Sequence, residues 1–204
     1  MGGPMKPLPV QLASKIYAAS ELIAERGLDD TKIEDIAEVT GIPVSTLYYH
    51  FRGKAEILAF LLNDLLTAIA AEVGVAVESQ GTARERLTRV IRAQLSVMLQ
   101  NPASCRALVG DLGRATRLPQ LAGALSAAFY QPVEQLLRDG ADDGSLLPSE
   151  DTMSDAVMIF GAVTVAGLME AVVGSQRPME SIADAVARLL FDGLAPRTFD
   201  ETHA

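Results

Sequence analysis

The side chains best suited to binding chemistry lie close together in one short stretch of the chain, residues 43–54. This stretch supplies hydroxyls, phenols, an imidazole and an ammonium group, which suit the phosphate oxygens and base edges of duplex DNA. The residues expected to be exposed together on its short helix are Val44, Ser45, Thr46, Tyr48, Tyr49 and His50. We expect this helix to enter the major groove.

The rest of the chain contains few residues of the types that carry out catalysis. There are two histidines, His50 and His203, and one cysteine, Cys105. The sequence contains no nucleophile-elbow serine, no phosphate-binding loop and no cluster with metal-ligand spacing. We therefore expect no enzyme activity, no catalytic residue, no metal and no cofactor. Cys105 is either a redox-sensing thiol or, as we favour, a small buried apolar residue.

Two short helices must hold the exposed cluster, and their sequence is typical of a helix-turn-helix. The first is predicted over residues 33–39 and the second over residues 45–50, with a break at residues 41–44. Gly41 permits the positive φ that a tight turn requires. The side chains spaced to close a small core beneath the turn are Ile36, Ala37, Ile42, Leu47 and Phe51.

The same stretch resembles the TetR family of transcription regulators. The residues that carry the resemblance are Gly27, Thr31, Ile36-Ala37, Gly41-Ile42, Thr46-Leu47-Tyr48-Tyr49-His50-Phe51, Lys54 and Leu58. It covers roughly residues 10–60, and beyond them only chain length and helical layout agree. The resemblance implies phosphate contacts by Thr31, Tyr49, His50 and Lys54. It also implies contacts to base edges or the groove wall by Val44, Ser45, Thr46 and Tyr48.

Several of these positions have simpler alternatives. Tyr48 is either a groove contact or mainly a core residue, and His50 either contacts phosphate or bonds locally within the turn. Lys54 is either a phosphate contact or a solvated helix start. Glu34 stands where many members of the family carry a basic or polar residue. We interpret it as a favourable first-turn carboxylate, and the alternative is an acceptor for cytosine N4.

Charge limits the strength of any DNA binding. The formal net charge is -9, and residues 1–54 hold six Lys or Arg against seven Asp or Glu, a net charge of -1. Over residues 40–55 the charged side chains are Arg52 and Lys54, so the recognition helix itself is not acidic. A shortage of cations predicts modest non-specific affinity and a shallow dependence of binding on salt.

Helical periodicity runs through the chain and predicts an all-α protein of nine or ten helices without a sheet. We expect an N-terminal three-helix helix-turn-helix domain, residues 1–54, and a C-terminal helical bundle for ligand binding and dimerisation, residues 55–204. A long amphipathic helix over residues 54–77 links them. Pro132 should kink or split a helix predicted over residues 118–140, because it lacks an N–H and clashes with the preceding turn.

Two features bear on localisation. Residues 1–9 contain a single Lys and no apolar core, unlike a signal peptide. The uncharged apolar run of residues 156–169 is shorter than the roughly 20 residues that a membrane span needs. We therefore expect a cytoplasmic protein without a membrane partner.

The last two predicted helices, residues 151–173 and 179–194, are rich in apolar and small side chains. The resemblance implies that two chains pair, and such helices can form a four-helix bundle with the same pair from a partner. The residues expected there are Ala156, Ile159, Gly161, Val163, Ala166, Gly167 and Val173, with Ile182, Val186, Leu189 and Leu190 on the last helix. The alternative is that both are ordinary core helices of one chain.

A small-molecule effector is also implied by the resemblance. The apolar composition of the C-terminal helical bundle, which we call the body, favours a hydrophobic one. Polar residues within apolar runs and large side chains that could wall a pocket are the candidates. They are Gln94, Met98, Asp111, Arg114, Phe129, Tyr130, Phe160 and Thr164. The alternative for each is a plain core or surface position.

The expected function is a homodimeric transcription regulator, a repressor that binds a palindromic duplex operator and is released by the ligand. Such a repressor needs two recognition helices spaced to match half-sites about 34 Å apart. The alternative is a ligand-binding or protein-interaction module with weakened DNA binding, which the net charge of residues 1–54 favours.

Overall fold

A computed structural model describes residues 8–110, 119–173 and 177–193, and every element in these ranges is helical. In chain order the elements are α1 (Val10–Ile16), α2 (Ala18–Asp30), α3 (Ile33–Thr40), α4 (Val44–His50), α5 (Lys54–Val77), α6 (Ala83–Gln100), α7 (Pro102–Gly110), α8 (Pro119–Leu125), a π-helical turn (Ser126–Tyr130), α9 (Gln131–Asp142), α10 (Thr152–Val173) and α11 (Met179–Asp192). With residues 119–142 counted as one continuous rod, the described ranges contain ten helices. The all-α prediction is confirmed.

The N-terminal helical stretch is divided into α1 and α2. α1 gives way to α2 at Tyr17, whose backbone stays near helical values (φ -61°, ψ -25°), so the interruption is slight. Gly27 then leaves helical geometry (φ 78°, ψ 158°), a positive φ that glycine adopts without strain. Ile16 and Ile23 line the buried face of this rod.

α5 carries the chain from the helix-turn-helix into the body. Its apolar residues at helical spacing, Leu58, Leu61, Leu62, Leu65 and Ile69, are all buried. The helix contacts α2 on one side and α6, α7 and the π-helical turn on the other. One helix therefore ties the position of the helix-turn-helix to the packing of the body.

Two helical stretches, Lys54–Val77 and Thr152–Glu170, are long and apolar enough to cross a membrane by length and composition alone. The sequence-based argument counted only the uncharged run of residues 156–169, which is shorter than the helix that contains it. Within the protein both stretches contribute to the core, with 39% and 33% of their most apolar windows buried. Core helices of soluble proteins can have the same length and composition. Length and apolar composition therefore do not distinguish a membrane-spanning helix from a core helix.

The helical rod of residues 119–142 changes geometry just ahead of Pro132. Residues Ser126–Tyr130 form a π-helical turn, and α9 resumes with Pro132 in its first turn. A proline has no N–H for the carbonyl one turn before it, and the wider turn relieves the clash between its ring and that carbonyl. The helix is not split as predicted, and the irregularity ahead of Pro132 is a π-helical turn within a continuous rod.

The faces of α10 differ from the sequence-based assignment. Ala156, Ile159 and Val163, expected at a dimer interface, are buried within one chain, as are Ile182 and Val186 of α11. For these residues the alternative is correct, because they pack in the core of a single protomer. The large apolar side chains that α10 and α11 expose are Met153, Val157, Met158, Val165, Met169, Val172, Val173 and Leu189.

Cys105 lies on the inner face of α7. It is buried, and this burial raises the pKa of its thiol to about 12. A protonated, shielded thiol reacts slowly with oxidants. The position fits a small apolar core residue rather than a redox sensor.

Candidate nucleic-acid interface and ligand site

The turn between α3 and α4 is built as the sequence predicts. Gly41 adopts a left-handed conformation (φ 62°) and ends α3. The Thr40 hydroxyl donates to the Ile36 carbonyl at 2.6 Å and accepts from the Ile42 N–H at 3.3 Å. Ile42, Leu47 and Phe51 are buried beneath the turn. These contacts fix the angle at which α4 leaves α3.

α4 presents a compact polar and aromatic surface. Ser45 is exposed, and the side chains of Tyr48 and Tyr49 are 57% and 66% exposed. Val44 and Thr46 are half-buried, and Val44 packs against the core. The exposure of Tyr48 decides between its two interpretations, because a phenol so open to solvent is not a core residue.

His50 ends α4 in a half-buried position. Its ring meets the edge of the Tyr49 ring at a centroid distance of 5.0 Å and an interplanar angle of 89°. Nδ1 is shielded from solvent and has no hydrogen-bond partner among the described residues. The local bond that sequence reasoning allowed for His50 is therefore not made through Nδ1.

Lys54 connects α5 to the end of α2. Its ammonium group donates to the carbonyls of Asp29 at 2.7 Å and Thr31 at 2.9 Å. A cation is unfavourable at the start of its own helix but favourable beside the carbonyls that end another. Since an ammonium group has three donors, one remains for a phosphate oxygen. Lys54 is thus neither a purely solvated helix start nor wholly available to DNA.

Thr31 departs from its predicted role. Its side chain is 0% exposed, and its hydroxyl donates to the Gly27 carbonyl at 2.7 Å. The hydroxyl replaces the helical hydrogen bond that is lost where Gly27 leaves helical geometry. In this conformation the Thr31 side chain faces the core, and a phosphate contact through its hydroxyl would require that hydroxyl to leave the Gly27 carbonyl.

The acidic residues of α3 are partly engaged within the protein. Asp35 accepts from the Lys32 backbone N–H at 3.0 Å and lies 3.6 Å from the Arg26 guanidinium. Glu34 is exposed in the first turn of α3, where a carboxylate interacts favourably with the positive end of the helix dipole. The geometry fits our interpretation of Glu34, since its charge stabilises α3 without needing a base.

Two polar candidates for ligand binding meet in the interior between α6 and α10. Gln94 is 0% exposed, and its Nε2 donates to Thr164 Oγ1 at 2.9 Å. The same nitrogen lies 3.9 Å from the Met98 sulfur. Gln94 Oε1 is buried and has no partner among the described residues. A buried polar atom left unpaired costs about 1–3 kcal/mol.

Three aromatic candidates pack together beside this pair. The Phe129 and Tyr130 rings, both from the π-helical turn, lie 5.3 Å and 5.5 Å from the Phe160 ring of α10. Burial raises the pKa of the Tyr130 phenol, so it stays neutral. Phe160 and Thr164 are one helical turn apart, which brings the aromatic group and the polar pair onto one face of α10.

The remaining two ligand candidates, Asp111 and Arg114, lie outside the described residues. Within the described ranges no group of three or more His, Cys, Asp or Glu is arranged to hold a metal ion.

Sequence reasoning missed two features of the body. The first is a cleft of about 470 Å³ between α6, α10, α11 and the loop after α9, where the Arg84 guanidinium lies 4.7 Å above the Phe191 ring. The second is the junction of α7 with α2, where Arg106 pairs with Glu21 at 2.5 Å beside a cavity of about 250 Å³. Both join residues far apart in sequence, so no local pattern marks them.

Comparison with known families agrees with this geometry. Residues 16–60 match the family described as "Bacterial regulatory proteins, tetR family". The match contains α2, α3 and α4 and the first part of α5. It therefore covers the helices that present the exposed surface and the start of the helix that connects them to the body.

Two curated relatives and one solved structure extend the similarity beyond these residues. The fatty acid metabolism regulator protein of Bacillus subtilis is 22% identical over 180 residues, 88% of this chain and 93% of the relative. The transcriptional repressor KstR2 of Mycolicibacterium smegmatis is 27% identical over 149 residues, 70% of this chain and 73% of the relative. The structure of the regulator FadR from Bacillus subtilis in complex with stearoyl-CoA superposes with a TM-score of 0.71 at 21% identity, covering 90% of this chain and all of that one. At this identity the structural likeness establishes the fold alone.

Proposed function

Because the chain belongs to the TetR family of bacterial regulatory proteins, we propose that it is a homodimeric repressor that binds a palindromic operator and is released by an apolar ligand. It is a transcription regulator and not an enzyme, like the relatives that it resembles. The observation that carries the proposal is α4, which exposes Ser45, Tyr48 and Tyr49 above a buried Leu47. A short helix with this division of faces is suited to the major groove.

Within this proposal the exposed residues of α4 divide the work of binding DNA. Tyr49 and the remaining donor of Lys54 contact phosphates, and His50 supports them at the end of α4. Ser45, Thr46 and Tyr48 face base edges or the groove wall, with Val44 at the start of the helix. The Thr31 side chain takes no part, since it is buried. Most of these contacts come from neutral groups, which position the protein with little counterion release.

A second copy of the chain is the proposed partner of α10 and α11. Val157, Val165, Met169 and Val172 form an exposed apolar stripe along α10 at spacings of three, four or eight residues, with Gly161 within it. Leu189 of α11 is also exposed. Pairing of such stripes about a two-fold axis buries them and generates the symmetry that a palindromic operator mirrors.

The dimer is tested by placing a charge in the stripe. Val165→Asp should shift the protein from dimer to monomer in sedimentation velocity, because a carboxylate buried without a partner is costly. Val75→Asp is the matched control, since Val75 is exposed on α5, which is not among the helices that pack extensively against α10 or α11. A Val165→Asp protein that remains dimeric at low micromolar concentration contradicts this interface.

The ligand is proposed to be apolar and to bind within the body, residues 55–204, while residues 1–54 bind DNA. The aromatic cluster of Phe129, Tyr130 and Phe160 supports an apolar ligand. So do the relatives, one named for fatty acid metabolism and one solved with stearoyl-CoA. The site of action is the cytoplasm, where a bacterial regulator meets DNA.

Release is proposed to work through the helices that bridge the two regions. α7 contacts α2 and ties to it through the Arg106–Glu21 pair, while Lys54 ties α5 to the end of α2. A ligand that displaces α5 or α7 thereby rotates α2 and the helix-turn-helix that follows it. A shift of a few ångströms in the separation of the two recognition helices mismatches half-sites about 34 Å apart.

The proposal is tested by in-vitro selection of random duplexes with the purified protein. We expect an enriched palindrome at low salt. Tyr49→Ala should weaken binding to every sequence alike, whereas Thr46→Val should change the preferred sequence. If no palindrome is enriched at low salt, the protein is instead a ligand-binding or interaction module with weakened DNA binding, as its sparse N-terminal cations would favour.

A further inference from the structure

The buried amide of Gln94 is an incomplete hydrogen-bonding site. Its two N–H donors are directed at the Thr164 hydroxyl and the Met98 sulfur, at 2.9 Å and 3.9 Å. Its carbonyl oxygen, Oε1, is equally buried and has no partner among the described residues. Interior polar groups are nearly always paired. With the amide in this orientation, what the site lacks is a hydrogen-bond donor.

We infer that Gln94 Oε1 accepts a hydrogen bond from a hydroxyl group carried by an otherwise apolar ligand. The inference rests on the proposed ligand binding and specifies its chemistry. It assigns Gln94 as the residue that distinguishes hydroxylated ligands from their plain hydrocarbon or ketone counterparts.

A hydroxyl fits the site better than the other common polar groups. Thr164 can donate as well as accept, so a Gln94 amide rotated by 180° would present Nε2 in place of Oε1. A hydroxyl pairs with either atom, because it donates to an oxygen and accepts from an N–H. A carboxylate would be buried without a counter-charge, since the described residues of this cluster include no cation.

The surroundings indicate where the apolar part of the ligand lies. At Gly167 the helices are in close contact, because a Cβ there would lie 3.1 Å from the Met98 methyl carbon. The other side of Thr164, one turn away on α10, carries Phe160 and the rings of Phe129 and Tyr130 packed on it. The skeleton of the ligand therefore lies against the aromatic cluster, with its hydroxyl directed at Gln94.

Matched pairs of probes that differ at a single oxygen test the inference. The first set is stearic acid against hydroxystearic acids with the hydroxyl at carbon 3, 10 or 12. The second pair is androst-4-ene-3,17-dione against testosterone, in which a ketone becomes a hydroxyl. Binding is measured by titration calorimetry on the full chain without DNA, so that operator release does not enter the result.

The full chain should bind the hydroxylated member of at least one skeleton about tenfold more tightly, the worth of one buried hydrogen bond. Gln94→Met keeps the side-chain length but removes the acceptor, and it should bind both members of that pair equally. Thr164→Ser, which keeps the hydroxyl that orients the amide, should preserve the preference, and Thr164→Val should reduce it. Equal binding of both members by the unaltered protein in both skeletons overturns the inference, as does a preference that survives in Gln94→Met.

A measurement without ligand decides the case in which no probe binds. If Oε1 is unpaired in the ligand-free protein, Gln94→Met combined with Thr164→Val, which replaces both partners of the Gln94–Thr164 bond by apolar side chains, should raise the thermal unfolding midpoint. A lowered midpoint means that Gln94 is a structural residue, paired for example by a trapped water, and overturns the inference. A protein that prefers hydroxylated probes but stays on its operator would contradict the proposed repressor release and not this assignment.

Discussion

The helix-turn-helix and the body differ in the hydrogen-bond partners of their polar side chains. Around α3 and α4 the hydroxyls of Thr31 and Thr40 and the ammonium of Lys54 all donate to backbone carbonyls. In the body Gln94 bonds to the side chains of Thr164 and Met98 and leaves Oε1 without a partner among the described residues. Backbone partners are fixed by the fold, whereas side-chain partners can change rotamer. The first region is thus held in one shape, whereas the second can rearrange around the ligand that we propose.

One buried polar atom of the helix-turn-helix is an exception, because it is not paired with a backbone group. His50 Nδ1 is shielded and has no partner among the described residues, and it lies at the end of α4. Both regions therefore place an unpaired polar atom where we propose a binding partner. The difference is that no buried side-chain N or O atom of the described residues beneath α4 lacks a partner, whereas Gln94 Oε1 in the body does.

The largest effect is expected from truncating the support of α4. Phe51→Ala should lower the free energy of unfolding by about 3–5 kcal/mol, because it leaves a cavity under the recognition helix. Tyr48→Ala is the matched control on the exposed face and should change stability by less than about 0.5 kcal/mol. Urea denaturation measures both. Equal losses in the two variants would mean that the faces of α4 are not divided as described.

A smaller effect is expected at the link between α5 and α2. Lys54→Met removes two charge-assisted hydrogen bonds to carbonyls and should lower the free energy of unfolding by about 2 kcal/mol. Lys15→Met changes an exposed lysine of α1 and should stay within about 0.5 kcal/mol of the unaltered protein. Chemical denaturation of both variants checks the difference. Indistinguishable variants would reduce Lys54 to a surface contact.

The smallest effect is a loss of stability in alkali at the bend between α1 and α2. The Tyr17 phenol donates to the Asp64 carboxylate of α5, and burial together with that carboxylate raises the pKa of Tyr17 to about 12. A raised pKa favours the protonated form in the folded state. Its contribution is therefore present below pH 10 and is lost as the pH rises from about 10 to 12.

This prediction is measured as the difference between the unaltered protein and Tyr17→Phe. Urea unfolding at pH 9 and pH 11 should show a larger fall for the unaltered chain. Cys105, whose pKa is also raised to about 12, is present in both and cancels. An equal fall in the two proteins would show that the Tyr17 phenol gains nothing from Asp64.

Much of the helix-turn-helix could be predicted from local patterns. Gly41 marks the turn, and the spacing of Ile42, Leu47 and Phe51 marks the face that is buried. The spacing also places Tyr48 and Tyr49 on a different face of α4 from the buried Leu47. The inward side of Thr31 was not predictable, because its hydroxyl replaces a bond lost at Gly27, and only the backbone geometry there reveals the need.

In the body the sequence predicted the helices but not their faces. α10 is apolar on nearly every side, so its periodicity does not distinguish the buried Ile159 and Val163 from the exposed Val165 and Met169. Which side is covered depends on the positions of α6 and α9, which come from distant parts of the chain. The pairing of Gln94 with Thr164 joins residues 70 positions apart and has no local signature.

The sequence by itself determined the all-α fold, the position of the recognition helix α4 and the short core that supports this helix. These features depend on contacts within a few turns, and residue spacing encodes such contacts directly. Only the tertiary structure decided that Thr31 faces inward, that Lys54 ties α5 to α2 and that Gln94 Oε1 has no partner among the described residues. Each depends on where distant helices bring a backbone carbonyl or a side-chain acceptor, and the order of residues along one helix does not specify that position.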